Sequence, residues 1–428
     1  MQPDYTKKFS NIKINTMKNL TLIVFATILL ALTIPFANGQ NNVWSLPPNY
    51  VKYVSGVPQS IPLPKPTEAY YIGSGFSNNP TDPEDGYDWQ IPEYGHNAMQ
   101  DANGDLLFFI VDGYIYNKDG HLIFIIEQDY SYYRPELAGA NELLVLPDPE
   151  DCNKYYLFGD QPVAVPGSNA CYPMWGMFDL SVADPVNLGA QWIYPQSILG
   201  IMPSSPPSYH LFYRNIHHKY AATQIRTDNS RLVFINSFNA LHVYKIDNNG
   251  LSFVKSLYPI GTESASEIIN NRSELEIIEL TNSANQKIYR TAYSFLNDDG
   301  DWVIINYDID YNSLNIDNST IEYTVLPVQT TPITKEALPH GIEFSPNGGT
   351  FLFTHETNSF NLNPIEYHVI GSGNNNKQPL LVANAQDFQF TQIELDKNGE
   401  MMFVGEQSNV GNRLAKLSNP NTPSPSNW

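Results

Sequence analysis

Charged residues are scarce in this sequence, and positively charged residues are the scarcest. Charged side chains make up 16% of the chain, below the roughly 25% that is usual for soluble domains. Asp and Glu number 44 against 23 Lys and Arg, so the formal net charge is −21. A surface with this excess of negative charge repels polyanions, and nucleic acid is therefore excluded as the expected partner.

Cysteine is also scarce, with Cys152 and Cys171 as the two in the whole chain. Two cysteines cannot by themselves make a structural zinc site. In an oxidising compartment they predict one disulfide, Cys152 to Cys171, that closes the hairpin between "KYYLFG" and "YPMWGMFDL". Such a bond would stabilise the fold by about 3 kcal/mol on the chain-entropy model. The alternative is a pair of free, buried thiols.

One long apolar run, from Leu20 to Ile34, stands near the N-terminus behind Met17-Lys18-Asn19. A short basic segment, an apolar stretch and then small residues before Gln40 are typical of a secretory signal peptide, with cleavage after Gly39. We therefore predict that residues 1–39 are a signal peptide with an N-terminal extension, and that no stable membrane span is left after cleavage. A membrane-anchoring helix is the alternative, although the run is shorter than the roughly 20 residues that a span needs.

Aromatic residues are abundant, at 13% of the chain with 27 Tyr. Tyr and Phe suit a pleated strand, whereas Asn and Gly suit the bends between strands. The 42% of apolar residues are enough for a proper core. The composition therefore predicts a folded chain of strands and turns.

A pattern of alternating strand, polar turn and alternating strand recurs six times from about residue 92 onward. The clearest copy is "HGIEFSPNGGTFLFTHETN", and others are "AMQDANGDLLFFIVDGYIYNKDG" and "QIELDKNGEMMFVGE". The turn positions that we take as equivalent are Gly104, Asn153, Ser230, Asn285, Gly348 and Gly399. The first unit quoted predicts four strands: "GIEFS", "TFLFTHE", "IEYHVI" and "PLLVAN".

Repeats of this size, each with about four short strands, predict an all-β fold, a β-propeller of about six to seven four-stranded blades over residues 92–428. A single twisted sheet cannot bury both faces, and radial stacking of sheets solves this. A pair of β-sandwiches would not need six similar units, and a β-helix would need shorter repeats.

Residues 40–91 form a Pro-rich leader, in which spaced prolines predict neither a central strand nor a long helix. Six units make a small propeller. We therefore expect that a leader strand near "EAYYIGSGFS" closes a seventh blade, or that the natural protein continues beyond "LSNPNTPSPSNW".

The quoted repeats resemble those of WD-repeat-like, TolB-type propellers, in particular those of secreted surface proteins from gliding, type IX-secreting bacteria. The resemblance covers roughly residues 92 to 428 and concerns fold and setting, because strand-Ser-Pro-Asn-Gly-strand is a repeat signature and not a site motif. It implies an extracellular or outer-surface binding or scaffolding propeller. No C-terminal sorting domain of the expected type is visible, which is a departure from the pattern.

Motifs for catalysis or metal binding are incomplete in this sequence. His355-Glu356 lacks the second His of a metalloprotease motif, and no Gly-x-Ser-x-Gly elbow occurs. His217 and His218, as strand neighbours, point to opposite faces and cannot both bind one ion without distortion. "DIDYNSLNIDNS" begins like a calcium loop at Asp308 but has Ser313 where Gly is needed. Paired carboxylates from different blades would leave no spacing in the sequence.

"DPEDGYDW" gathers three aspartates around a glycine, Asp82, Asp85 and Asp88. Their carboxylate oxygens are the ligands that Ca²⁺ prefers, so this segment is the candidate metal site. The alternative is an acidic turn in solvent. No other cofactor is predicted.

Two segments rich in Tyr and Arg are the candidate recognition surfaces. "EQDYSYYRPEL" contains Tyr130, Tyr132, Tyr133 and Arg134, and "PSSPPSYHLFYRNIHH" contains Tyr209, Tyr213 and Arg214. Large, rather rigid rings with a polar tip, next to Arg, are favoured at binding surfaces. The alternative is that these rings pack the rim of the propeller.

These observations predict a secreted or outer-surface propeller that binds or scaffolds a cell-surface protein or glycan without catalysis. One alternative is a propeller hydrolase or lyase that acts on extracellular polysaccharide or peptide, with carboxylates and His from several blades meeting in the central channel. Another is a periplasmic, TolB-like partner protein.

Overall fold

The computed structural model describes residues 43–46, 49–54, 57–65, 96–101, 103–111, 114–125, 143–162, 171–181, 196–197, 218–237, 240–259, 274–297, 301–326, 339–355, 364–381, 392–396, 398–407 and 411–428. Within these ranges the regular elements are 26 β-strands and one 3₁₀ turn at Pro425–Asn427. The prediction of an all-β fold is confirmed.

The strands form seven antiparallel sheets, which we number in chain order. Sheet 1 contains β1 (Val43–Leu46), β2 (Asn49–Val54) and β3 (Val57–Pro62). Sheet 2 contains β4 (His96–Gln100), β5 (Leu106–Val111), β6 (Tyr114–Asn117) and β7 (Leu122–Ile125). Sheet 3 contains β8 (Leu144–Pro147), β9 (Lys154–Pro162), β10 (Cys171–Asp179) and β11 (Gln196–Ser197). Sheet 4 contains β12 (Lys219–Ala222), β13 (Arg231–Ser237), β14 (Ala240–Asp247) and β15 (Gly250–Leu257).

The remaining strands form sheets 5, 6 and 7. Sheet 5 contains β16 (Leu275–Thr281), β17 (Lys287–Leu296), β18 (Trp302–Asp310) and β19 (Ile316–Leu326). Sheet 6 contains β20 (Pro339–Phe344), β21 (Thr350–His355), β22 (Ile365–Val369) and β23 (Lys377–Pro379). Sheet 7 contains β24 (Gln392–Leu395), β25 (Met401–Gln407) and β26 (Gly411–Leu417).

Strand order within each sheet follows the chain, and the first strands contact each other in five pairs of successive sheets. Strand β1 contacts β4, β4 contacts β8, β12 contacts β16, β16 contacts β20 and β20 contacts β24. Sheets that meander outward from first strands gathered at a common centre are the blades of a β-propeller. The predicted fold is therefore confirmed, with five four-stranded and two three-stranded sheets in the described residues.

The core lies between the sheets, where large apolar side chains from neighbouring sheets pack face to face. The largest cluster joins sheets 4, 5 and 6 and includes Phe234, Tyr289, Ile305 and Phe344. Smaller clusters join sheets 2 and 3, sheets 3 and 4, and sheets 6 and 7. Because the inner sheets are covered on both faces, strands such as β18 and β21 are almost continuously buried instead of alternating.

The leader was predicted to contain no central strand, and this is wrong. Strand β2 pairs with β1 on one side and with β3 on the other. The six residues of β2 include no proline, whereas Pro58 and Pro62 lie in the outer strand β3. An outer strand tolerates proline because one row of its N–H groups has no partner in the sheet.

Sheet 1 contacts sheet 2 through one face and sheet 7 through the other. Tyr50 packs against the core of sheet 2, and Lys52 forms an ion pair with Asp105 in the turn after β4. Tyr53, which follows Lys52, points the other way, and burial together with the carboxylate of Asp396, after β24, raises the pKa of its phenol. Since alternate residues of a strand face opposite sides, sheet 1 lies between the first and last repeats.

The turns between first and second strands largely match the predicted repeat. Gly104, Asn285, Gly348 and Gly399 have positive φ, between 60° and 78°. In sheet 4 the left-handed residue is Asn229 (φ 58°), one residue before the predicted Ser230. Asn153, in sheet 3, is not among the left-handed residues. A type I turn closed by a residue with positive φ is a common short hairpin connection, and it favours Gly or Asn at that position.

The side chain that opens these turns secures them. Asp101 accepts hydrogen bonds at Oδ1 from the backbone N–H groups of Asn103 and Asp105, at 2.8 and 2.9 Å. Asn282 and Asp396 make the same pair of bonds in sheets 5 and 7. A short polar side chain that bonds to the backbone two and four residues later makes the turn a local property of the sequence.

In sheet 6 the first three predicted strands are observed as β20, β21 and β22, but the fourth is shifted. Strand β23 covers Lys377–Pro379, so it begins before the predicted "PLLVAN" and shares Pro379 with it. Its pairing with β22 places Lys377 opposite His368, and Leu380 N–H continues the bonding to Ile365. Hydrogen bonding to the neighbouring strand, and not apolar content, sets its position.

The predicted disulfide between Cys152 and Cys171 is wrong. Cys171 begins β10 opposite Pro162, at the far end of β9, whereas Cys152 lies in the turn that precedes Lys154 at the other end. A strand of this length separates them by roughly 25 to 30 Å at about 3.3 Å per residue, and a disulfide needs Cα atoms within about 7 Å. Cys152 is a free, exposed cysteine.

Candidate functional site

The propeller has two different ends, which follow from the antiparallel order of its strands. The turns between first and second strands lie together at one end, which we call the turn face. There, Pro346 contacts Gly399 of the next repeat, and Arg290 donates to the Gly348 carbonyl at 2.7 Å. In sheets 2 to 7 the ends of second and fourth strands and the starts of first and third strands therefore lie at the opposite end, which we call the loop face.

The predicted recognition and metal residues fall in connections between sheets, and all of them lie outside the described residues. Tyr130, Tyr132, Tyr133 and Arg134 stand between β7 and β8, and Tyr209, Tyr213 and Arg214 stand between β11 and β12. Asp82, Asp85 and Asp88 stand between β3 and β4. The described strands on either side of both Tyr-rich segments end and begin at the loop face. These site assignments stay predictions.

Polar side chains of the first strands, buried or half-buried, connect several sheets to a neighbour. Asn97 Nδ2 donates to the Leu143 carbonyl at 2.8 Å, joining sheets 2 and 3. The Tyr220 hydroxyl donates to the Gly159 carbonyl at 2.8 Å and joins sheets 4 and 3. Each is a bond between first or second strands of adjacent repeats, close to the centre of the ring.

Lys219 makes the corresponding link between sheets 4 and 5. It is 3% exposed, and its Nζ donates to the carbonyl of Ser294 at 2.5 Å and lies 3.1 Å from the Ser294 hydroxyl. A buried ammonium group needs hydrogen-bond partners to offset its desolvation. A lysine next to a serine can serve in nucleophilic catalysis, but Lys219 and Ser294 hold two strands together.

Glu274 links sheets 5 and 6 in the same way. Its carboxylate accepts a hydrogen bond from the backbone N–H of Ile342 at 2.9 Å, and its own N–H donates to the carbonyl of His340 at 3.1 Å. The inner edge of a first strand has no strand partner, so its N–H and C=O groups need others. The carboxylate of Glu274, from the preceding sheet, supplies the acceptor for one of them, the N–H of Ile342.

The carboxylate of Glu343 bridges the boundary of sheets 6 and 7, where Glu394 directly precedes its partner Leu395. Glu343 Oε1 accepts from the N–H of Phe344 at 2.8 Å, and Oε2 accepts from the N–H of Leu395 at 3.2 Å. Burial raises the pKa of Glu343 well above its ordinary value, and the neighbouring charge of Glu394 adds to this effect. Desolvation raises the pKa of Glu394 to about 7, although this residue is exposed.

The buried histidines do not form a metal site in the described residues. His218, at the start of sheet 4, is fully buried, and His217 lies outside the described ranges. Burial, with a smaller contribution from His218, lowers the pKa of His242 to about 4. His242 Nδ1 lies 2.7 Å from the Ser256 hydroxyl, and so it is a packed strand residue with a neutral ring at neutral pH.

The other two sequence motifs have structural roles. His355 ends strand β21 with Nε2 at 3.6 Å from Glu366, and it does not lie on a helix as a metalloprotease motif would. Asp308 is bound by Arg290 through two hydrogen bonds of 2.6 and 2.8 Å. Asp310 accepts from the N–H groups of Asn312 and Ser313 and closes a turn.

The polar residues at the centre of the ring were not predicted, although the sequence carries a weak signal for them. Glu274, Glu343 and Glu394 each stand within an apolar run, in "SELEII", "HGIEFS" and "TQIELD". A glutamate within an apolar run can also face solvent in an exposed strand. Alternation alone therefore cannot distinguish a glutamate that bridges two sheets from one that faces solvent. The partners of Glu274 and Glu343 are supplied by the next repeat, far along the chain.

No family model matches this chain, and no curated protein matches it. Several solved structures are similar in fold, among them an endo-arabinase from Bacteroides thetaiotaomicron VPI-5482 (10% identity, 65% of this chain and 92% of that chain, TM-score 0.31). Two others are the Dos1 propeller (9% identity, 75% and 73%, TM-score 0.35) and the Aleuria aurantia lectin with alpha-methyl-L-fucoside (10% identity, 78% and 91%, TM-score 0.32). Similarities at this level of identity and TM-score are not evidence of function, and the fold assignment rests on strand order.

In the part of the chain that the structure describes, no helix has the length and hydropathy of a membrane span.

Proposed function

We propose that this chain is an exported propeller that binds a glycan or a protein at the cell surface without converting it. The observation that carries this proposal is a difference between the centre of the ring and its loop face. The central polar side chains Lys219, Glu274 and Glu343 are bonded to neighbouring sheets, and the strand ends on either side of the long connections lie at the loop face. Binding residues are disproportionately placed on loops that a rigid scaffold positions.

The composition of the connections supports a recognition surface at that face. Both Tyr- and Arg-rich segments connect strands there, and rigid aromatic rings contact a ligand at low entropic cost. The excess of acidic residues favours a neutral or positively charged ligand over a polyanion. A protein or glycan at the cell surface fits these requirements.

A screen of glycans and cell-surface proteins tests the proposal, using the chain without residues 1–39. The test variant is Tyr132→Ala/Tyr133→Ala, and the matched control is Lys118→Ala/Asp119→Ala, a pair on the turn face. We expect saturable binding that the loop-face variant weakens at least tenfold and the turn-face control leaves unchanged. Binding that is lost in the turn-face variant and kept in the loop-face variant would overturn the proposed surface.

A hydrolase acting on extracellular polysaccharide is the second candidate, and Glu343 with Glu394 is the observation that favours it. General acid–base cleavage of a glycosidic bond uses two carboxyl groups, one protonated as the acid and one ionised as the base or nucleophile. Both oxygens of Glu343 already accept backbone N–H groups, however, so Glu394 would be the acid. Turnover of a glycan by the wild-type chain that Glu394→Gln abolishes would establish this alternative.

A further inference from the structure

Strand β19 is the outer edge of sheet 5 and, with 11 residues, the longest of the described strands. Its inner side pairs with β18. The backbone groups on its outer side are a template on which another chain can pair, and proteins commonly block such edges with lysine or proline. Strand β19 contains neither residue. This edge therefore needs another form of protection.

The first half of the edge is interrupted by a bulge. Asp317 pairs with Asp308 of β18, and Glu322 pairs with Asn306. Residues 318–321 therefore stand opposite a single residue of β18. A bulge bends its strand and interrupts regular pairing, which protects this half of the edge.

The second half of the edge is covered by residues 370–376, the turn between β22 and β23 of sheet 6, which we call the strap. Asn374 Oδ1 accepts a hydrogen bond from Tyr323 N–H at 2.9 Å, and Asn375 Oδ1 accepts from Val325 N–H at 2.7 Å. The N–H of Asn375 donates to the Tyr323 carbonyl at 2.8 Å. The strap thus occupies the backbone groups to which an added strand would bond.

A single carboxylate, that of Glu322, fastens the strap to sheet 5. Its Oε2 accepts from Gly371 N–H and its Oε1 from Gly373 N–H, both at 3.0 Å. His368 Nε2 lies 3.1 Å from Oε2 and donates, because an ionised carboxylate can only accept. Burial opposes the ionisation of Glu322, but these three donors outweigh burial and lower its pKa. Glu322 is therefore a charged anchor for the strap.

The strap itself buries little apolar surface. Residues 371–376 are exposed, and a Cβ added at Gly371 or Gly373 would meet no atom within 4 Å. Ile370, where the strap begins, packs against the core and donates its N–H to the Gly349 carbonyl at 3.0 Å. A segment with few buried apolar contacts opens at a low free energy. The strap can therefore open while sheets 5 and 6 stay folded.

Sheet 4 provides a comparison within the same molecule. Its outer strand, β15, has eight residues and includes Lys255. The corresponding turn of sheet 5, residues 311–315, is bound by the Lys255 side chain, whose Nζ donates to Asn315 Oδ1 at 2.9 Å. Among the described residues, no backbone hydrogen bond joins this turn to β15. The shorter edge with a lysine thus has no strap of this kind, whereas the longer edge without one has it.

We propose that the strap prevents β19 from pairing with β19 of a second copy of this chain, and that Glu322 holds the strap in place. In an antiparallel pair centred on Thr324, the outward groups of Tyr323 would meet those of Val325 from the other copy. Glu322 would lie opposite Leu326, so that two like charges would not face each other. The uncovered edge is therefore self-complementary. This inference does not rest on the proposed binding function.

The test variant is Asn374→Ala/Asn375→Gly in the full chain. It removes both side-chain acceptors from the edge and leaves Glu322 unchanged, and glycine tolerates the positive φ of Asn375 (60°). The matched control is Ser372→Ala, because the Ser372 hydroxyl donates within the strap region, to the Val369 carbonyl. Glu322→Ala, which removes the anchor, is a second and independent way to open the strap.

Hydrogen exchange measures the opening of the strap. The amides of Tyr323 and Val325 should exchange about tenfold faster in both strap-opening variants than in wild type. The amide of Thr324, which faces β18, should exchange equally in wild type and in the asparagine double variant, and Ser372→Ala should match wild type at all three amides. Equal exchange of Tyr323 and Val325 in wild type and both strap-opening variants would overturn the strap.

Sedimentation velocity over a series of protein concentrations measures the pairing. The strap-opening variants should form an additional species of twice the wild-type mass, which Ser372→Ala should not form. Adding Val325→Pro to the asparagine double variant removes an outward N–H without removing a bond to β18, and it should abolish this species. Faster exchange without the additional species, or a species that persists with Val325→Pro, would overturn pairing through β19.

Discussion

The carboxylate of Glu343 accepts a hydrogen bond from the backbone N–H of Leu395, 52 residues later in the chain and one sheet further round the propeller. Lys219 with Ser294 and Glu274 with Ile342 repeat this relationship in the preceding sheets. Buried polar groups must find partners, and in this propeller backbone groups of the next repeat provide them. The centre of this ring is therefore held together by polar joints as well as by apolar packing.

The substitution Gly348→Ala should destabilise the protein by more than about 1 kcal/mol. Gly348 has φ 64° and a Cβ there would overlap the side chain of Leu280 in the preceding repeat, so both strain and a clash oppose it. The matched control is Gly371→Ala, because Gly371 has φ 81° and open space around it. Denaturant unfolding of both variants measures the difference. Equal losses would show that the contact with Leu280 does not matter.

Turn chemistry of this kind could be predicted from the sequence, because it is local. Asp or Asn opening a turn and Gly or Asn at the left-handed position lie within five residues of each other, and both were visible as repeats. The prediction that the leader contains no central strand was wrong because its prolines are spaced. Strand β2 lies in a short run between them that contains no proline. Glu343 could not be assigned, because its partner belongs to a different repeat and no spacing in the chain encodes it.

Leu63→Ala should cost about 2–5 kcal/mol if the leader is part of the core. Leu63 is 2% exposed and packs with Phe109 and Tyr116 of sheet 2. Leu381→Ala is the control, because Leu381 is 68% exposed and its truncation should change stability by less than about 0.5 kcal/mol. Thermal and denaturant unfolding of both variants give the comparison. A leader that only lies on the surface would make the two variants indistinguishable.

Asp308→Ala should cost about 3–5 kcal/mol, because it leaves Arg290 partly buried without its carboxylate partner. The two side chains are 10% and 16% exposed and are joined by two hydrogen bonds. The exposed pair Glu400 with Lys416 offers the control, and Glu400→Ala should cost no more than about 1 kcal/mol. Similar losses in both variants would mean that Arg290 finds other partners.

Cys152→Ser should leave stability within about 0.5 kcal/mol of wild type, and Cys152 should react with a thiol reagent in the folded protein. The residue is free and exposed, and strand register holds it far from Cys171. A disulfide would instead make its loss cost about 3 kcal/mol. Mass spectrometry after labelling under non-reducing conditions counts the thiols. Protection of Cys152 from the reagent until a reductant is added would contradict the observed register.

The central question is whether the propeller only binds its ligand or also cleaves it. The most direct measurement is mass spectrometry of a glycan or peptide captured by the wild-type chain, followed over many hours at saturating protein. We predict that the ligand is recovered intact, with no product above the level of a protein-free control. A product that accumulates with time and disappears in Glu394→Gln would contradict this and would make the carboxyl pair at sheets 6 and 7 an active site.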